Sequence, residues 1–419
     1  MDVPDAILLM GDKQWQEIKS KLTGKFNKMM KGLFRQKGAQ LDINILASDE
    51  AQEFITTHAG ILDAGFQKVE MSDKMRERLT RSNYIFSGIK TFHELNEAFP
   101  SMLDENGNKK TFERFLNDVQ KINDTYNANY LHAEYNFVQA SATMAAKWEQ
   151  FREDGDQYYL QYRTAKDGKV RPEHAALDGV TLPPSDSFWD TYYPPNGWNC
   201  RCNVVQVRKQ KYPITEHSEA MNRGEKAMNG QEYNIFRFNS GKQGKTMPDY
   251  NPYTIRRCND CDVAKGKMKL GFVPDYQLCQ GCIMIRKCSE DRNRDNSAKA
   301  TKKSPEVKKL QGTTISNPDF NHEVLVTGGS IREWTNQPHK DYAAKNSILK
   351  HIAKVFREAK YIGFIDNFKM KPGIKQSHLF ETNVLGELSW IIVREYEIGE
   401  FVLHSISDSD KIKTGIRKE

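Results

Sequence analysis

The stretch from Arg171 to Cys202, RPEHAALDGVTLPPSDSFWDTYYPPNGWNCRC, shows neither the alternation of a strand nor the three- and four-residue recurrence of a helix. Its shape must come from specific contacts. Phe188, Trp189, Tyr192 and Tyr193 supply bulk, Pro194-Pro195 restricts the backbone, and Asn196-Gly197 offers the positive φ angles of a tight turn. The simplest role is a scaffold of packed and hydrogen-bonded side chains. The sharper one is metal: Cys200 and Cys202 with His174, and with Asp178 or His217 as a fourth ligand, have the donor types of a zinc site. Catalysis by His174 and Asp178 would lack a nucleophile and a phosphate-cradling loop.

At 419 residues the chain exceeds what a single core usually holds, so several domains are expected. A mean hydropathy of -0.73 suits an aqueous chain, and no apolar run approaches the ~20 residues of a membrane span. MDVPDAILLMGD lacks the basic start of a signal peptide, which places the protein in a cytosol. In that compartment the C-x-C and C-x2-C spacings of the 7 cysteines suit metal better than disulfides.

The net charge of +7 is concentrated in one place. Lys13 to Lys37 holds eight Lys or Arg and one Glu, and the rest of the chain nets to zero. Trp15, Ile18, Leu22, Phe26, Met29 and Leu33 recur at helical steps there, predicting a basic face over a packed apolar stripe. The same face could dock on DNA, an acidic protein surface or a membrane surface.

Two further helical stripes follow: Phe112, Phe115, Leu116, Val119 and Ile122, then Tyr126, Tyr130, Ala133, Phe137, Ala140, Met144 and Trp148. Asp104 to Lys110 lacks the later acidic ligands of a calcium loop and reads as a turn. Strands are expected at 158–164 and 203–207, an extended connector over 208–256, and a charged linker over 290–314. The last hundred residues predict a helix from Pro338 to about Lys360. Strands at 361–366, 379–384, 388–397 and 400–406 come next, the last two joined by a hairpin at Glu397-Ile398-Gly399. One helix on an antiparallel sheet completes a small domain.

Cys258-x2-Cys261 and Cys279-x2-Cys282 stand 17 residues apart, the spacing of a four-thiolate zinc site. Four thiolates leave no open position for water, so the expected Zn2+ is structural. Arg256, Arg257, Lys265, Lys267 and Lys269 around it suit either nucleic-acid backbone or a metal-stapled spacer.

The Arg171–Cys202 signature, with YIFSGIKTFHE, FERFLNDVQKI and YLHAEYNFVQASATMAAKWEQF, resembles the phage Mu protein F family of minor head and head-morphogenesis proteins over about residues 50 to 215. That resemblance implies a minor capsid protein in the virion, assembled in the host bacterial cytoplasm with phage portal and head proteins. SIREWTNQPHKDYAAKNSILKHI, AKYIGFIDNF and HLFETNVLGELSWIIVREYEIGEFVLHSISD, over about residues 320 to 410, resemble phage-associated nucleases of the barnase, EndoU, colicin E5/D and RelE superfamily. It implies metal-independent RNA cleavage by a toxin-type domain, with an immunity protein as a further partner.

Such cleavage needs a base for the ribose 2'-OH, an acid for the leaving oxygen and a cation for the phosphate. His339 and His404 are the candidates for proton transfer and Arg394 for charge stabilisation, with His378, Lys345 and Ser407 as further candidates. The expected fold class is multidomain α+β: a basic helical region 1–50, a head-morphogenesis domain 51–215, a connector 216–256, a zinc-ribbon-like module 257–289, a linker 290–315, and a ribonuclease-like domain 316–419. The competing reading is a purely structural or DNA-binding packaging protein with an inactive C-terminal domain.

Overall fold

The computed structural model describes residues 12–38, 40–248, 251–255, 280–339, 342–367, 372–384 and 387–417. The chain divides into two compact units, Met1–Ser289 and Glu290–Glu419.

The first unit opens with α1 (Asp12–Arg35), whose Leu22, Phe26, Met29 and Leu33 are buried as the apolar stripe predicts, joined by Met30. Its basic face meets α2 (Asp49–Ala64): Lys25 and Lys28 pair with Glu53, and Arg35 with Glu50. Side-chain caps fix where the next helices begin. Ser48 caps α2, Ser72 caps α3 (Asp73–Ala98), and Thr111 caps α4 (Phe112–Asn123), each accepting a hydrogen bond from a backbone N–H of the first turn. Between Leu103 and Lys109 the Asp104 carboxylate accepts from the N–H groups of Asn106 and Asn108, forming the expected turn.

α5 (Leu131–Asp154) buries Phe137, Met144 and Trp148, but Tyr130 of the same predicted stripe stands exposed. A π-helical turn, Asp124–Asn129, lies between α4 and α5 and breaks the phase that the sequence pattern carried across it. Glu134 takes an inward position instead.

β1 (Tyr159–Arg163), β2 (Thr181–Leu182) and β3 (Asn203–Val207) form an antiparallel sheet ordered β2-β1-β3. The signature segment threads through it, with α6 (Pro172–Ala175) before β2 and α7 (Phe188–Thr191) after. Phe188, Trp189, Tyr192 and Tyr193 are all fully buried.

The expected connector over 208–256 is instead part of the core. It contains α8 (His217–Ala227), α9 (Ser240–Gln243) and α10 (Pro252–Ile255), and it buries Met228, Phe236, Phe238, Met247 and Tyr253. Apolar anchors this far apart show no period, yet each fills a separate gap in a core built by other elements.

The predicted linker 290–315 is also mostly ordered, as the end of α11 (Gln280–Lys303) and as α12 (Pro305–Lys309). Its Lys, Arg and Ala residues have high helix propensity without apolar periodicity, and Pro305 suits a first helical turn.

The second unit holds a six-stranded sheet among the described residues, in the order β4-β5-β9-β8-β7-β6. Its strands are β4 (Thr314–Asn317), β5 (Phe320–Leu325), β6 (Lys360–Asp366), β7 (Ile374–Val384), β8 (Glu387–Tyr396) and β9 (Phe401–Ser407). The hairpin between β8 and β9 turns at Gly399, where φ is +84° and the N–H bonds the Tyr396 carbonyl. Two features depart from the sequence expectation. The β4–β5 hairpin adds two strands, and β5 pairs with β9 in parallel, making the sheet mixed. The helix predicted from Pro338 is two, α14 (Tyr342–Ile348) and α15 (Ile352–Glu358), and an unpredicted α13 (Gly328–Asn336) with a Thr327–Ser330 capping box precedes them. Trp334, Leu349, Ile352, Phe356, Phe380, Ile391 and Leu403 form the core between helices and sheet.

Candidate functional site

The end of the signature segment leads directly into β3. In an extended run residues two apart share a side, so Cys200 and Cys202 point one way and Arg201 the other. Arg201 accordingly faces outward to Asp167, at 2.5 and 2.7 Å. Both sulfurs face His174 on α6: Nδ1 lies 3.8 Å from Cys200 Sγ and 3.8 Å from Cys202 Sγ. His174 and Cys200 are buried and Cys202 partly so. The Cys202 thiol and the His174 imidazole hold the Cys200 thiol well below its usual range, against its burial, while Cys200 and burial push Cys202 up.

The turn that presents these cysteines differs from the predicted one. The Cys200 N–H bonds the Gly197 carbonyl at 3.1 Å, and the left-handed residue is Asn199, with φ of +56°. Asn196 is buried and accepts from the Tyr162 hydroxyl at 2.7 Å. Gly197 is needed for closeness: a Cβ there would sit 3.2 Å from the Arg171 guanidinium, which donates to the Trp198 carbonyl.

Neither expected fourth ligand joins the cluster. Asp178 accepts from the Thr164 N–H and hydroxyl and pairs with Lys166, and His217 pairs with Asp186 at 3.0 Å. Among the described residues His174, Cys200 and Cys202 form the candidate metal group, within 4.8 Å of one another.

A second polar assembly was hidden from the sequence reading. Lys90 is fully buried and donates to Glu134 at 2.7 Å and to the Tyr126 carbonyl at 2.7 Å, with His58 Nε2 at 3.1 Å. Glu134 also accepts from the Tyr253 hydroxyl. Burial raises the Glu134 carboxyl, but Lys90 and His58 overrule it and hold its pKa at about 2. Burial and the Lys90 charge bring His58 down to about 4. Glu94, one helical turn beyond Lys90, has both carboxyl oxygens buried without a hydrogen-bond partner among the described residues, and burial pushes its pKa up to about 8.

In the second unit the six candidate nuclease residues are dispersed over the sheet and its helices. His339 is buried with Nε2 3.1 Å from the Ser389 hydroxyl. Lys345 is buried under the carbonyls of Trp334 and Gln337, and burial lowers its pKa to about 7. His378 lies between the Tyr361 hydroxyl at 3.0 Å and the Glu395 carboxylate at 2.9 Å. It is in register with Val393, so Arg394 projects from the opposite face, in register with Ser377 and Val402. His404 stands at the bulge where the β8–β9 register shifts between Ile392 and Val393, and Ser407 faces Trp390. Tyr361 and Glu395 were not among the sequence candidates. The alternation of β8 puts Glu395 on the His378 side, which is the one signal that could have found it. The quartet Cys258, Cys261, Cys279 and Cys282 lies outside the described residues, apart from the backbone of Cys282 in α11.

Comparison with known families gives this geometry its context. Residues 105–205, which carry α5, the three-stranded sheet and the His-Cys-Cys cluster, match the family described as Phage Mu protein F like protein. Residues 293–403 match Large polyvalent protein-associated domain 3.

Two curated proteins extend the first likeness. The chain is 29% identical over 283 residues to "Putative capsid assembly protein F" of Escherichia phage Mu, covering 62% of this chain and 61% of that protein. It is 26% identical over 198 residues to the Mu-like prophage FluMu F protein of Haemophilus influenzae, covering 46% of this chain and 42% of that protein. It thus spans about three fifths and about two fifths of these relatives' lengths. No solved structure matches the chain. Among the described residues no helix is long and apolar enough to cross a membrane.

Proposed function

We propose that this chain is a capsid-assembly protein of a Mu-like phage or prophage head, working with portal and head proteins in the host cytoplasm and remaining in the virion. The match of residues 105–205 to the Mu protein F-like family carries this reading. The deeply packed signature segment supports a structural role, because its aromatic residues are spent on the core rather than on a cleft. Docking of α1 on DNA is the weaker reading, since Lys25, Lys28 and Arg35 already face carboxylates of α2. In a prophage lacking residues 105–205 of this chain, induction is expected to yield no DNA-filled heads, and mass spectrometry of parental heads should detect the chain. Normal heads from the deletion, or parental heads without the chain, would sink the proposal.

The quartet Cys258, Cys261, Cys279 and Cys282 is proposed to hold structural Zn2+, on its spacing alone.

For the second unit, the narrower reading is a metal-independent endoribonuclease, with an RNA substrate and an immunity partner. The arrangement that favours it is His378 held by Glu395 and Tyr361, since an imidazole oriented by a carboxylate is suited to proton transfer. The full chain is expected to cut RNA in EDTA, and His378→Ala to lower the rate by about 10²-fold or more. Intact RNA after incubation with folded chain would leave the unit a structural one.

A further inference from the structure

We propose that His174, Cys200 and Cys202 bind a zinc ion, separate from the quartet, with a water molecule as the fourth ligand. The distances suit coordination better than hydrogen bonding. Zn–S bonds of about 2.3 Å and Zn–N bonds of about 2.0–2.1 Å at tetrahedral angles place sulfur and nitrogen about 3.6 Å apart. His174 Nδ1 stands 3.8 Å from each sulfur, so each nitrogen–sulfur pair needs to close by only a few tenths of an ångström around an ion, and the two sulfurs lie within 4.8 Å of each other.

The imidazole has nothing else to bind. Its Nε2 is buried with no hydrogen-bond partner among the described residues, and Nδ1 meets the two sulfurs. Burying Nδ1 against two weakly bonding sulfurs costs free energy that an ion at Nδ1 would offset.

The donors are also preset. Both sulfurs already lie on the His174 side, the Gly197–Cys200 turn fixes their approach, and the Arg171 bond to the Trp198 carbonyl holds that turn. A cavity of about 20 Å³ adjoins the three donors, bordered by Lys169, Arg171 and Asn199. A water needs about 10–15 Å³, so there is space for one and little more. Two thiolates select a thiophilic ion and neutralise its charge, which makes zinc the fitting occupant. The ion would tie α6 to the strand entering β3, closing a 26-residue loop around the aromatic signature.

The test uses the full chain with Cys258, Cys261, Cys279 and Cys282 all changed to Ser, so that the quartet cannot contribute. After dialysis in metal-free buffer, elemental mass spectrometry is expected to find about one zinc per chain, and Cys200→Ser in that background should weaken zinc affinity at least about tenfold. A folded quartet-free chain without zinc overturns the proposal. If that chain does not fold, the unmodified protein is alkylated with added zinc and again after chelation. Cys200 and Cys202 should react at least about tenfold faster without metal; equal rates overturn the proposal.

Discussion

Replacing Lys90 with Met is expected to destabilise the first unit by about 3–5 kcal/mol, the range for breaking a buried ion pair from one side. Met fills nearly the same volume, so packing is kept while the charge is lost. Glu134 is then left buried with its carboxylate facing His58 and Tyr253 but no cation. Urea unfolding of the full chain, followed by tryptophan fluorescence, should show the earlier midpoint. Adding Glu134→Leu to Lys90→Met should recover part of the loss, because the stranded charge goes with it. A midpoint equal to that of the parent would mean that the pair is not what holds α3 to α5.

Raising the pH from 6.5 to 8 should cost the protein about 2 kcal/mol more than it costs the Glu94→Gln variant, at about 1.4 kcal/mol per pH unit for one proton. The cause is Glu94. Its folded pKa of about 8 lies above its ordinary 4.5, so between those values the folded chain keeps a proton that the unfolded chain has lost. Stability from this group is complete below 4.5 and is lost as pH rises toward 8. His58 acts in the other direction: depressed from 6.5 to about 4, it costs stability as pH falls through that window. The two slopes offset each other between 4.5 and 6.5; above that Glu94 is opposed by the lowered Cys200 thiol and the lowered Lys345 ammonium, whose contributions grow as pH rises, so the Glu94 share is the difference between the parent and a variant lacking the carboxyl. Glu94→Gln is neutral at every pH and should remove this share, read from urea midpoints of parent and variant at pH 6.5 and 8. The same change in both chains between the two values would rule this out.

These two residues also explain where sequence reasoning stops. A Lys and a Glu in FSGIKTFHELNE read as the wet side of a helix, yet both are buried, and Lys90 is held by partners in α2 and α5 that no local pattern reveals. By contrast, α1 was legible because its apolar residues keep helical phase, and β1, β3 and the β8–β9 hairpin because alternation and turn residues agree. The sheet of the second unit was half legible: β6 to β9 were foreseen, while β4 and β5 fell near an expected linker boundary and gave too short a pattern. At the candidate site, the C-x-C spacing indicated a shared side and His174 was near in sequence. The supposed fourth ligands failed because Asp178 and His217 each satisfy a closer neighbour. The turn residue was misplaced by three positions, from Asn196 to Asn199, since an Asn-Gly pair is favoured in turns but does not oblige one.

The order β4-β5-β9-β8-β7-β6 has a consequence for timing during synthesis. β9 is made last of the six and lies inside the sheet, joining the β4–β5 hairpin to the β6–β8 meander. Until Ser407 has been added, the two halves have no strand in common, and the growing chain carries two exposed sheet edges awaiting the same partner. Folding of this unit is therefore a late event that cannot proceed piecemeal from its first residue, and a ribosome stalled before Phe401 would hold a chain ready to pair with another copy's edge instead of its own.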